Sequence, residues 1–107
     1  MLSHVVSLKF KPEVTAADID ELEKSLDELP NTIVEIQMYE FGRDVLRTER
    51  SYDFAIVALF ANKEALQRYQ RHPEHLKVSA KLKILCESVV TVDFFVTATE
   101  THRRKTK

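Results

Sequence analysis

Tyr69-Gln-Arg-His-Pro-Glu-His75 decides how this chain folds. It lies between two segments with apolar residues at helical spacing. Proline has no N–H to give and is tolerated at the first position of a helix. Pro73 therefore ends one helix and begins the next. Before it, Asn62 is placed to cap a helix that carries Glu64 in its first turn and Ala65, Leu66 and Tyr69 on its buried side. After it, a second helix is expected to run to about Leu85, with Leu76, Ala80, Leu82 and Leu85 as its buried candidates.

The flanks of this helix pair alternate with period two, the mark of strands. Tyr52 to Phe60 is the strongest. One face carries Tyr52, Phe54, Ile56, Ala58 and Phe60; the other carries Asp53, Ala55, Val57 and Leu59. Val89 to Val96 is the last strand, apolar on both faces except at Thr91 and Asp93. At the other end, residues 3–10 alternate, with His4, Val6, Leu8 and Phe10 on the more apolar face. Thr15-Ala-Ala-Asp18 reads as a capping box with Asp in the place of the commoner Glu or Gln. Ile19, Leu22, Leu26 and Leu29 then trace a helix that Pro30-Asn31 should stop. Residues 32–42 read as extended. Gly42, the only glycine, should mark a turn, a bulge or a close backbone approach.

The order is strand, helix, strand, strand, helix pair, strand, which is the β-α-β-β-α-β pattern of ferredoxin-like folds. The fold class is therefore α+β, with a four-stranded antiparallel sheet and helices on one side. An antiparallel sheet wetted on one face should alternate cleanly. The last two strands do not, so something must cover their second face. The chain has no spare element for this, and a second copy packed sheet to sheet is the economical cover. A homodimer is expected.

Composition narrows the classes further. At 107 residues the chain is one domain, expected over residues 1–98, with a basic tail over 99–107. The last six residues hold two Arg and two Lys; the net charge of −1 then leaves −5 on the body. An acidic body without a basic stripe argues against nucleic acid. No apolar run approaches the roughly 20 residues of a spanning helix, so no membrane partner is expected. One cysteine, Cys86, builds no disulfide framework and fits a reducing, cytoplasmic compartment. There is no phosphate loop and no dinucleotide fingerprint, and no cofactor is expected. His72-Pro-Glu-His75 offers two imidazoles near one another, but Pro73 disturbs the spacing and no cysteine or third histidine lies nearby; no metal site is expected.

Four stretches together carry a family likeness: His4-Val-Val-Ser-Leu-Lys-Phe-Lys-Pro12, Phe41-Gly-Arg-Asp44, Tyr69-x-x-His-Pro-x-His75 and Val92-Asp-Phe94. In this order and spacing, over about residues 2–97, the chain resembles the stress-responsive dimeric α/β-barrel domain family. That resemblance implies a ferredoxin-like monomer pairing into a barrel. One branch, similar to olivetolic acid cyclase, closes a linear polyketide without a cofactor. It uses a histidine, a tyrosine and a histidine at positions matching His4, Tyr69 and His75. It has a further histidine where this chain has Phe54.

On this basis His75, Tyr69 and His4 are the candidate catalytic residues. Histidine exchanges protons near neutral pH, and a tyrosine hydroxyl donates to a developing enolate oxygen. His75 would act as base, Tyr69 as oxyanion donor and His4 as an orienting group. Val6, Phe54 and Ile56 are expected to wall the site for a small apolar ligand, with His72 as a further binding candidate. Each polar residue also has a plainer reading. His4 and Tyr69 could be satisfied core residues, His72 a helix cap, and His75 a solvated side chain. The interior is then either a pocket that binds a ligand or turns it over, or a filled core in a non-catalytic dimer.

Overall fold

The computed structural model describes residues 1–97; the basic tail expected over 99–107 lies outside the described residues. Strands β1 (Leu2–Phe10), β2 (Met38–Arg43), β3 (Phe54–Phe60) and β4 (Cys86–Phe95) form one sheet in the order β2-β3-β1-β4. Every neighbouring pair is antiparallel. Helices α1 (Ala16–Thr32), α2 (Lys63–Arg71) and α3 (Pro73–Leu85) supply the second layer. This is the expected ferredoxin-like β-α-β-β-α-β fold.

Register explains which side chains meet. His4 lies opposite Ala58 on one side and Asp93 on the other, and Val6 lies between Ile56 and Thr91. Tyr39 pairs with Ala58 and Phe41 with Ile56, so both join the same face. The core forms there: Leu8, Phe54, Ile56, Ala58 and Phe60 from the sheet pack with Leu22, Leu26 and Leu29 of α1 and Leu66 and Tyr69 of α2. Burial of such side chains is worth about 1.5–3 kcal/mol each. The opposite face carries Val5, Ala55, Val57, Leu59, Val90, Val92 and Phe94, and no described element covers it.

The helix starts follow local chemistry. Thr15 and Asp18 close a reciprocal capping box at 3.2 and 2.9 Å. The Asn62 side chain accepts from the Ala65 N–H at 2.9 Å. His72 accepts from the Glu74 N–H at 3.1 Å and caps α3, with Pro73 in its first turn.

Several boundaries differ from the sequence reading. Pro30 does not stop α1, which continues to Thr32. A proline this close to a helix end forfeits one backbone bond, while the Ile33 N–H still reaches the Leu29 carbonyl at 2.8 Å. Residues 33–37 form a turn that buries Ile33 and leaves Val34 at 88% exposure, and β2 begins only at Met38. Tyr52 and Asp53 precede β3, because the Asp53 carboxylate accepts from the Phe10 N–H at 2.8 Å and pairs with Arg47 at 2.7 Å. β4 starts at Cys86, directly after α3. In α3 the buried residue is Val78, with Leu82 and Leu85 packed beside the core; Leu76 and Ala80 are exposed. Gly42 has negative φ and sits inside β2 with open space where a Cβ would point. It makes no turn. It helps leave a broad, open hollow of about 400 Å³ on the uncovered sheet face, beside Ser7, Glu40 and Ala55.

Candidate functional site

Under α3, between the sheet and the helices, lies a cavity of about 170 Å³. β1 sends His4 and Val6 to it, β2 sends Tyr39, and β3 sends Ile56. Tyr69 and Gln70 come from the end of α2, and His75, Val78 and Ser79 from α3. The alternation of β1 and the kink at Pro73 thus bring the three catalytic candidates to one wall. Tyr69 stands between the histidines, with ring centroids 6.2 Å from His4 and 4.4 Å from His75. The Phe60 ring packs on Tyr69 with centroids 4.8 Å apart.

The hydrogen bonds fix what each group can offer. His75 Nδ1 lies 3.2 Å from the Gln70 carbonyl oxygen. A carbonyl only accepts, so Nδ1 bears the proton and Nε2 is the free base. Burial holds the His75 pKa below the usual histidine range, and the His4 and His72 imidazoles add to this, while the bond to Gln70 pulls the other way. His4 is buried at 5% exposure, and its Nδ1 bonds the Asp93 carboxylate. The same logic puts the proton on Nδ1, oriented by Asp93.

Tyr39 and Tyr69 line the cavity together, from β2 and α2. Burial pushes both phenols above the ordinary tyrosine range. Tyr69 therefore keeps its own proton through neutral pH and can donate it. The Tyr69 donor and the His75 base face a largely apolar cavity, with Ser79 and Thr91 also on its lining. This arrangement suits transfer of a proton from a carbon or oxygen acid whose carbonyl oxygen is held by the phenol.

Phe54 and His72 lie elsewhere. Phe54 stacks on Phe41 at 6.0 Å and meets Phe10 edge-on, at the far end of β3 from His4. His72 turns its Nδ1 to the α3 cap, so the two imidazoles of the motif serve different backbone groups. Tyr39, Gln70 and Asp93 are site residues that the sequence alone does not single out. The one available signal is Asp93, a carboxylate interrupting an apolar strand.

The pattern of the stress responsive A/B barrel domain matches residues 2–96. The chain belongs to this family. A stress-response A/B barrel domain-containing protein of Arabidopsis thaliana is 30% identical over 100 residues, covering 89% of this chain and 86% of its own length. Olivetolic acid cyclase of Cannabis sativa is 28% identical over 95 residues, covering 87% and 94%. A dimeric ferredoxin-like protein of unknown function from Thermobifida fusca superposes with a TM-score of 0.82 at 28% identity, covering 89% of this chain and 90% of that one. As a Dabb domain the chain thus has structural neighbours described as dimers.

Proposed function

We propose that this Dabb domain, residues 1–98 ahead of a separate basic tail, acts as a homodimer whose protomers each hold a small apolar ligand between sheet and helices. The observation that carries this reading is the cavity of about 170 Å³ on which His4, Tyr69 and His75 converge. Side chains that merely filled the core would leave no such space. The dimer follows from the second sheet face, where Val90, Val92 and Phe94 are 47%, 62% and 50% exposed in the protomer. Pairing of two such faces removes apolar area of the kind that stable dimers bury, roughly 800 Å² per partner. The family's dimeric neighbours support it. Among the described residues no helix is long and apolar enough to cross a membrane. That fact and the free, buried Cys86 accord with the proposed cytoplasmic location.

A second reading is a cofactor-free cyclase or lyase, favoured by the uncommitted Nε2 of His75 beside the Tyr69 phenol. It extends to this chain the activity named for the 28% identical olivetolic acid cyclase. His75 would take the proton, Tyr69 would hold the oxyanion, and the His4–Asp93 pair would orient the ligand. Ligand-detected NMR on wild type and His75→Ala tests both readings. Binding without hydrogen–deuterium exchange at the carbon next to a carbonyl supports the binding protein. Exchange that His75→Ala abolishes supports the enzyme. No binding at all overturns both.

A further inference from the structure

The cavity's size and charge restrict its ligand, a selectivity that rests on the proposed pocket. Its volume, about 170 Å³, is close to the roughly 150 Å³ of an engineered apolar cavity that takes up benzene. It lies below the roughly 300–1,000 Å³ of ordinary drug-sized sites. A single ring or a short chain fits; a long linear chain would have to leave most of its length outside. Charge narrows the choice again. None of the residues lining the cavity is Lys, Arg, Asp or Glu. His4 touches it, but Asp93 already balances any charge that ring carries. Burial and its imidazole neighbours keep His75 neutral. A carboxylate entering this space would lose water and meet no cation, a cost that a neutral oxygen does not bear to the same degree. The polar groups also set the ligand's pattern. The Tyr69 phenol lines the cavity and can donate to an outside acceptor. His75 Nε2 waits for a proton.

We infer that the site selects an uncharged, ring-sized carbonyl compound, with its oxygen on Tyr69 and an acidic C–H or O–H toward His75, and discriminates against carboxylates and long-chain ligands.

Acetophenone and benzoate are matched in size and differ in charge; 2-undecanone is a neutral ketone with a long chain. Titrating each into the full-length protein at pH 7.5, with the His75 and Tyr69 ring signals read by NMR, gives three dissociation constants. Acetophenone should bind, with benzoate at least about tenfold weaker, the ratio that 1.4 kcal/mol produces. The longer ketone should bind severalfold more weakly than acetophenone. Tyr69→Phe should weaken acetophenone binding severalfold while leaving binding of benzene, which has no acceptor, unchanged. Val89→Phe fills the cavity from an edge strand where Val89 is 44% exposed, and should abolish acetophenone binding; Thr91→Phe replaces it if that variant does not fold. Benzoate or 2-undecanone binding as tightly as acetophenone or tighter, and still lost in Val89→Phe, overturns the ligand class but leaves the pocket standing. If none of the three moves the ring signals, or if Val89→Phe changes nothing, the pocket reading fails and takes this inference with it.

Discussion

His75 is held through its Nδ1 by the carbonyl oxygen of Gln70, 3.2 Å away and five residues earlier in the chain. The bond crosses the break at Pro73, so the same kink that ends α2 also aims the imidazole. A base poised in this way should titrate below the ordinary value of 6.5, because burial disfavours the charged ring. The unfolded chain therefore takes up the proton more readily than the native one. The contribution of the neutral, docked ring is thus fully present above about pH 6.5 and is lost as pH falls through the depressed native value. NMR titration should put the His75 midpoint below 6.5. Chemical denaturation at pH 7.5 and 5.5 should show a smaller pH-dependent loss in His75→Gln than in wild type. A midpoint at or above 6.5 would refute the buried-base reading.

The His4–Asp93 pair should behave as a unit. His4 is almost wholly buried, whereas the Asp93 side chain is 38% exposed, so solvent weakens the pair but leaves His4 dependent on it. Asp93→Ala leaves the buried His4 Nδ1–H without this acceptor and should cost about 1–3 kcal/mol, the range for an unsatisfied buried group. In a double-mutant cycle, His4→Ala and Asp93→Ala should fall short of additivity by at least about 0.5 kcal/mol. Strict additivity in denaturant unfolding would show that the two side chains are not coupled.

How much of the molecule is legible in the sequence depends on whether a feature is local. The capping box at Thr15, the Asn62 cap and the split at Pro73 each depend on residues within a few positions, and all three are read correctly from sequence. The His4–Val6–Leu8 face is legible because alternation fixes strand faces without knowledge of partners. Boundaries are harder. Pro30 reads as a stop, yet one lost backbone bond at a helix end does not outweigh the packing of Leu26, Leu29 and Ile33. The phase of α3 is misread because the helix has apolar residues nearly all round, including Ile84 at 71% exposure, so spacing alone does not name the buried side. Tyr39 and Asp93 escape notice at the site for a different reason. They come to the site through sheet register, Tyr39 beside Ala58 and Asp93 beside His4, 89 residues away.

The two imidazoles of the motif should separate cleanly on mutation. His72 caps α3 and does not line the cavity. His72→Ala should therefore destabilise the protein by about 0.5–2 kcal/mol, as loss of an N-cap does, and His72→Asn should restore most of it. Ligand binding measured at a temperature where each variant is folded should be unaffected. His75→Ala should do the reverse, losing ligand contact with a smaller effect on unfolding. If His72→Asn binds ligand less tightly than wild type, His72 belongs to the site after all.

The dimer provides the last test, because the uncovered sheet face has a built-in control. Val92 is 62% exposed in the protomer, so Val92→Asp leaves a lone protomer's core untouched. Between two packed sheets the same carboxylate would lie without water or a partner charge, at a cost of several kcal/mol. Size-exclusion chromatography with light scattering should give a dimer mass for wild type and a monomer mass for Val92→Asp at micromolar concentration. Val34→Asp serves as the control: Val34 is 88% exposed in the turn before β2, away from that sheet face, and its charge should leave the dimer intact. The cavity lies on the opposite side of the sheet from the proposed interface, so monomeric Val92→Asp should still bind ligand. A wild-type monomer would leave Val90, Val92 and Phe94 in water and remove the reason for their pattern.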